Sequence, residues 1–219
     1  IRILNRHGVE VVVPKKIRCC GSLNHHLGKN DDANQDFINN INIWYDEYLK
    51  GNLDAILSNT SGCGTTMKDY AFIFRDDKKM KKKAKKISEL TKDVSEYLSE
   101  NLNLKFKKKE KKLRIAYHSA CSMQHGQKVH SQPINLLEKT KNEILEIPEG
   151  HICCGSAGTY NILQSKIAKQ LLKNKVKNIE SLKPQVISTG NIGCITQIRY
   201  GTNIPILHTV ELLDWYTGG

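Results

Sequence analysis

An internal repeat constrains the fold of this chain more than any other feature of its sequence. Residues 18–22 (RCCGS) reappear as residues 152–156 (ICCGS), and residues 61–63 (SGC) reappear as residues 192–194 (IGC). The two spacings, 134 and 131 residues, are almost equal. Because self-similarity at a fixed spacing marks a repeated structural unit, the sequence predicts two tandem units, residues 1–104 and residues 105–219.

Short apolar runs alternate with helical patterns in both units. In the second unit we predict helices at 133–141, 164–182 and 210–215 and strands at 112–117, 143–147, 184–188 and 205–208. In the first unit we predict helices at 1–7, 33–49 and 87–98 and strands at 9–13 and 55–57. This alternation is typical of parallel sheets. The predicted fold class is therefore α/β, with two pseudo-repeated units built on mainly parallel sheets.

The cysteines follow the predicted strands. Cys121 follows the first strand of the second unit, and the pair Cys153 and Cys154 follows the second, with Cys194 after the third. Sites in parallel sheets form at the carboxyl ends of strands, so we expect these thiols to converge on one sheet edge. Seven cysteines in a chain with no signal-peptide pattern favour reduced thiols with metal or redox chemistry over a disulfide framework.

The cysteine spacing favours an iron–sulfur cluster over a zinc site. Zinc sites commonly use tight Cys-x-x-Cys loops, and this sequence has none. Two adjacent cysteines reach two irons of a cluster more easily than they chelate one tetrahedral ion. A glycine after each pair permits close backbone approach. Buried structural thiols and a redox disulfide between the neighbours remain the alternatives at this point.

Histidines near the cysteines give weaker evidence. His118 and His125 lie on either side of Cys121, where they are candidates to bind a metal or to donate to a cluster sulfur. Hydrogen-bonded loop histidines are the simpler interpretation. His25 and His26 follow the first cysteine pair, but no acid–base partner for them is identifiable from the sequence.

The net charge of +12 does not indicate a nucleic-acid-binding protein. Lysine outnumbers arginine 28 to 6, whereas arginine provides the bidentate phosphate and base contacts. The lysines concentrate in two runs, residues 78–86 and 105–112. A solvated face is the simplest interpretation, and a patch that docks on an acidic partner or an anionic lipid is the alternative. No apolar run approaches the roughly 20 residues of a membrane span.

The motifs resemble the CCG (cysteine-rich) domain family, which includes the heterodisulfide reductase B subunit and the iron–sulfur subunits of bacterial glycolate oxidases. The matching segments are residues 19–27, 58–70, 118–127, 152–160 and 190–196. The resemblance implies that the cysteines bind iron–sulfur clusters, with [4Fe-4S] the expected type. The implied ligands are Cys19, Cys20, Cys63, Cys121, Cys153, Cys154 and Cys194.

The resemblance also implies a role and partners. It implies an electron-transfer subunit of a 2-hydroxy-acid oxidase or dehydrogenase, and flavin-binding glycolate oxidase subunits that carry FAD, with a quinone or another membrane electron acceptor. The expected location is the cytoplasm, with peripheral attachment to the inner face of the cytoplasmic membrane as an alternative. A thiol/disulfide reductase subunit and a lactate-utilisation iron–sulfur protein are the alternative functions.

Two departures from the family pattern affect the predicted sites. The second cysteine of a closing Cys-x-x-Cys is replaced by Thr66 in the first unit and by Gln197 in the second, which argues against a cluster that needs five thiolates. The counterpart of Cys121 would lie before residue 1. We therefore expect a longer parent chain, with a ferredoxin-like domain and a further cysteine about a dozen residues upstream of Ile1.

Overall fold

The computed structural model describes residues 1–51, 53–107 and 111–219, and it confirms the predicted α/β class. The helices and strands of the first unit are α1 (Arg2–Arg6), α2 (Ser22–His26), α3 (Asn30–Leu49), β1 (Ile56–Ser58), α4 (Ser61–Ile73), α5 (Lys81–Leu90), β2 (Thr91–Asp93) and α6 (Val94–Asn101). Those of the second unit are β3 (Arg114–Tyr117), a π-helix (Ser122–Gln127), α7 (Ser131–Glu138), β4 (Glu143–Glu146), α8 (Tyr160–Leu163), α9 (Ser165–Ser181), β5 (Val186–Thr189), α10 (Ile192–Arg199), β6 (Ile206–His208) and α11 (Thr209–Thr217).

All of the strand pairs in the described residues are parallel. The second unit has the strand order β4-β3-β5-β6, with Ala116 opposite both Leu145 and Ile187. In the first unit β1 pairs with β2. By the repeat this pair corresponds to β5 and β6, so each unit has an equivalent edge in its own sheet. Cys121, Cys153, Cys154 and Cys194, and Cys63 in the first unit, lie beyond the carboxyl ends of strands, as the sequence predicts.

Two predicted elements of the first unit are wrong. Residues 9–13 form no strand, although they occupy the place of β4 in the repeat. A strand needs a hydrogen-bonded neighbour, and no strand in the described residues pairs with this segment. The predicted helix 87–98 is interrupted by β2.

A capping box explains where that helix breaks. The side chain of Asp93 accepts from the Ser95 amide, and Glu96 reaches back to the Asp93 amide. His208 and Glu211 form the same arrangement at the start of α11. Each capping box ends a strand and starts a helix by satisfying amides that would otherwise be unpaired. The repeat therefore extends through both closing strand–helix pairs.

The two predicted units share one hydrophobic core. Ile3, Leu98, Ile115 and Leu213 pack in a single cluster, so both units contribute to it. An ion pair from the Arg2 guanidinium to the Asp214 carboxylate, 2.7 Å long, links α1 to α11 at the surface of this core. The boundary between residues 104 and 105 remains a prediction.

The lysine run 78–86 lies largely on the exposed side of α5 and the turn before it, while Ala84 and Ile87 face the core. Residues 108–110 of the second run lie outside the described residues. No helix in the described ranges is long and apolar enough to cross a bilayer.

Candidate metal centre

Each Cys-Cys-Gly turn depends on its glycine. Gly155 has φ +93° and Gly21 has φ +77°, in the left-handed region that side chains rarely adopt. A Cβ on Gly155 would collide with the carbonyl oxygen of Ala168, and one on Gly21 would collide with the ring of Phe37. Each turn therefore lies directly on the second helix after it, α9 or α3, and this close approach fixes where the two preceding thiols point.

Four sulfurs converge in the second unit in the order Cys121, Cys153, Cys154, Cys194. Hydrogen-bonding contact with Cys121, and then with Cys154, holds the pKa of Cys153 far below its usual range. Contact with Cys154 lowers the pKa of Cys194 to about 6, and the neighbouring His118 adds to this effect. The pKa values of Cys121 and Cys154 rise because their thiols contact these two sulfurs and are partly desolvated. Each shift comes mainly from contact with a neighbouring sulfur, so the four thiols lie within hydrogen-bonding reach of one another in this order.

His118 joins this group of sulfurs. Its ligand atom and those of Cys154 and Cys194 lie within 4.8 Å of one another, and all three residues are buried. Its side chain is 2% exposed, and neither ring nitrogen has a hydrogen-bond partner in the described part of the chain. A buried polar group without a partner is costly, so the environment of His118 suits a bound cation or an anionic sulfur. His125 is exposed and plays no part in this group.

The burial of the site is graded. Cys154 is 1% exposed and Cys194 is 4% exposed, whereas Cys121 and Cys153 are only partly buried. The Gly155 amide donates to Sγ of Cys153 at 3.3 Å. Backbone donors to sulfur disperse negative charge, so the left-handed turn both places Cys153 and stabilises its thiolate.

The first unit reproduces part of this arrangement. Cys20 contacts Cys63, which raises the pKa of Cys20 and lowers that of Cys63. By the repeat this pair corresponds to Cys154 and Cys194. Cys19 is exposed and corresponds to Cys153. Three thiols are therefore brought together here, in the same order as in the second unit.

The first cysteine turn is held by a buried asparagine. Asn40 is fully buried in α3; its amide donates to the carbonyls of Arg18 (3.2 Å) and Cys19 (2.8 Å), and its oxygen accepts from the Arg18 amide at 2.8 Å. The Tyr70 hydroxyl donates to the carbonyl of Cys20 at 3.0 Å. These bonds satisfy the backbone of an irregular turn that no sheet pairs.

Replacing Asn40 with alanine is expected to destabilise the apo chain by about 2–3 kcal/mol, because it removes a fully buried side chain and leaves the three backbone groups that it binds without that partner. Asn34→Ala is the matched control, since Asn34 is exposed on the same helix; it should change the free energy of unfolding by less than about 0.5 kcal/mol. Urea unfolding of both variants measures the difference. Equal effects would show that the asparagine does not hold the turn.

A hydrogen-bond network joins the two cysteine groups. The Ser61 and Ser122 hydroxyls lie 2.7 Å apart, and the Asn191 amide donates to both, at 2.9 and 3.2 Å. Ser61 is two residues before Cys63, and Asn191 is three before Cys194. The cysteine edges of the two units therefore face each other across a polar seam.

The positions that lack the family's last cysteine still lie against the Cys-Cys-Gly turns. The Thr66 hydroxyl donates to the Ser22 hydroxyl at 2.9 Å. Gln197 lies beside Gly155 and accepts from the Asn161 amide at 3.2 Å. Neither residue supplies a thiolate. Each instead makes polar contacts beside its Cys-Cys-Gly turn.

Sequence reasoning missed Asn40, Lys175 and the seam residues. Asn40 and Lys175 were detectable in principle, because each is a polar residue at a core position of an amphipathic helix: Asn40 lies between Phe37 and Ile41, and Lys175 occurs at helical spacing from Ile179. The seam had no comparable signal, because it depends on how the two units pack.

A model of the cysteine-rich (CCG) domain matches residues 1–68 and 115–199, and the chain belongs to this family. It is 33% identical to the glycolate oxidase iron-sulfur subunit of Escherichia coli K12 over 97% of this chain and 52% of that protein. It is 28% identical to a probable glycolate oxidase iron-sulfur subunit of Bacillus subtilis, over 97% of this chain and 49% of that protein. It is 26% identical to lactate utilization protein A of the same organism, over 98% of this chain and 90% of that protein. The chain thus spans about half the length of the two glycolate oxidase subunits.

Proposed function

We propose that this chain is an iron–sulfur electron-transfer subunit of a 2-hydroxy-acid-oxidising complex. The observation that carries the proposal is the convergence of four cysteine sulfurs and a buried, unpartnered histidine in the second unit. Thiolate-rich sites suit zinc or iron–sulfur clusters. The names of the relatives favour the second of these, since two are called iron-sulfur subunits.

The residues present fit a cluster. Cys121, Cys153, Cys154 and Cys194 would hold it in the second unit, and Cys19, Cys20 and Cys63 would contribute to a second site. Four thiolates match the ligand count of a [4Fe-4S] cluster, and Gln197 offers no fifth. Such a cluster, when bound, takes up and releases one electron at a time.

The protein side chains define how such a site exchanges electrons. Cys153 and Cys194 are already biased toward the thiolate form, so they are prepared to bind metal. Burial of Cys154 and Cys194 excludes water from the inner side. Cys121 and Cys153 are only partly buried, so the outer side of the site is the approach for a redox partner.

The complex around this chain is part of the same proposal. Flavin-binding subunits that carry FAD would deliver electrons from glycolate, and a quinone or a similar membrane acceptor would receive them, with the complex in the cytoplasm or on the inner membrane face. Lactate is the second candidate substrate. Lactate utilization protein A favours it, because the chain spans 90% of that relative.

Co-expression of the full parent chain with the flavoprotein subunits tests this role. We expect dye reduction by the complex with glycolate or lactate, and loss of acceptor reduction in Cys154→Ser while the flavin is still reduced by substrate. If the flavin stayed oxidised in the variant, Cys154 would be needed for the reduction of the flavin itself. That result would contradict electron transfer from the flavin to the cluster. Acceptor reduction at the wild-type rate would contradict it equally.

A further inference from the structure

A buried lysine lies against the turn that leads into the Cys153–Cys154 pair. Lys175 is 2% exposed in the middle of α9, in a chain whose other lysines are mostly at the surface. Its ammonium donates to the carbonyls of Glu149 at 3.0 Å and Gly150 at 3.5 Å. It forms no ion pair with a carboxylate in the described part of the chain. Buried ammonium groups require compensating negative charge.

The cysteine sulfurs provide that charge. Burial lowers the pKa of Lys175, and the sulfurs of Cys154 and Cys153 oppose this shift more strongly than the Glu149 carboxylate does. That carboxylate also accepts a hydrogen bond from the Asn178 amide at 3.0 Å. When both are thiolates, as they would be in a metal complex, the two adjacent candidate ligands are therefore the negative groups that oppose the shift most.

The lysine also lies against the turn that leads into the cysteine pair. Glu149 has φ +53°, a conformation uncommon outside glycine. Lys175 and Asn178, one helical turn apart on α9, bind the carbonyls of residues 148–150 at this turn. The position of the ammonium relative to the cysteines is therefore fixed by both of its partners and by the helix that carries it.

We propose that Lys175 is the resident counter-charge of the second-unit site, stabilising the anionic complex formed there and favouring its reduced form. The inference rests on the proposed metal-binding role of the four cysteines. A metal centre held by four thiolates has a net negative charge, and each added electron increases it. A fixed cation nearby stabilises the more negative state and so raises the reduction potential.

Three variants separate charge from packing. Lys175→Gln removes the charge and keeps a hydrogen-bond donor, Lys175→Arg keeps the charge, and Lys173→Gln is the control, since Lys173 is exposed on the same helix. Circular dichroism establishes that each variant folds. Every variant also carries Cys20→Ser, which removes a candidate ligand of the first unit, so that metal binding is measured at the second-unit site.

Cobalt titration of the apo chain is the first measurement. Co²⁺ alone is the probe, followed by its thiolate charge-transfer absorption. Lys175→Gln should bind Co²⁺ roughly tenfold more weakly in a buffer below the thiol pKa values, because cobalt binding then releases the thiol protons and the lost cation no longer stabilises the negative charge that forms. Lys175→Arg and Lys173→Gln should bind like the parent. Parent-like affinity in Lys175→Gln, or tenfold weaker binding in a folded Lys175→Arg, would overturn the proposal.

The reduction potential is the second measurement, on the cluster-loaded full chain. Lys175→Gln should shift the redox equilibrium about tenfold toward the oxidised form, which lowers the midpoint potential by about 59 mV for a one-electron couple. Lys173→Gln should leave the midpoint potential unchanged. Equal potentials in all variants would overturn the proposal. If the parent carries no cluster, the proposed function fails, and the cobalt titration still decides the role of the lysine.

Discussion

The Cys154→Ser variant of this chain, purified without oxygen, is expected to lose on the order of half of its bound iron and sulfide, because it removes a ligand from one of two proposed sites. Cys154 lies between Cys153 and Cys194 in the sulfur sequence, and it is 1% exposed. A hydroxyl there neither binds iron as a thiolate does nor finds solvent. Colorimetric iron and labile-sulfide assays, normalised to protein, measure the loss.

Met123→Leu is the matched control for that variant. Met123 is 1% exposed and packs in the same core cluster as Cys154, but it offers no thiolate. A volume-conserving swap of this kind costs under about 1.5 kcal/mol, so iron and sulfide should stay at the parent level. Parent levels of both in Cys154→Ser would show that this cysteine is not a ligand.

The Gly155→Ala substitution is expected to destabilise the apo chain by about 3 kcal/mol or more. The added Cβ meets the Ala168 carbonyl in a conformation with φ +93°, and a backbone atom of α9 cannot move aside cheaply. Gly28→Ala is the matched control, because Gly28 has φ +74° and nothing within 4 Å of an added Cβ. It should cost only the left-handed strain, about 1 kcal/mol.

Urea unfolding of the two glycine variants separates strain from collision. The account predicts that Gly155→Ala loses clearly more stability than Gly28→Ala, and that it weakens Co²⁺ binding at the second-unit site as well. Equal losses in the two variants would mean that the turn can move away from α9, and that the glycine does not fix the direction of the thiols.

Local pattern was enough to predict the strands of the second unit, although not its π-helix, α8 or α10. Its strands pair with one another within the chain, so alternation of apolar runs and helices located β3 to β6 and the cysteines at their carboxyl ends. The same reasoning failed at residues 9–13, because a strand is defined by its neighbour as well as by its composition. It failed at residues 87–98 because a helical pattern does not reveal the capping box of Asp93.

The site itself was only partly predictable. The repeat pairs six of the seven cysteines and the strand before Cys121 points to the seventh, yet only the structure places His118 against Cys154 and Cys194 and leaves Cys19 exposed. The seam of Ser61, Ser122 and Asn191 depends on the packing of one unit against the other. Such contacts between residues far apart in the chain carry no periodic signal in a single sequence.

Metal analysis of the full chain, prepared without oxygen, tests the central claim most directly. The account predicts a brown protein with broad absorption near ~400 nm, which contains iron and labile sulfide in equal amounts. It also predicts an EPR signal of a [4Fe-4S] cluster in one of its redox states. A colourless protein with stoichiometric zinc and no labile sulfide would contradict the account.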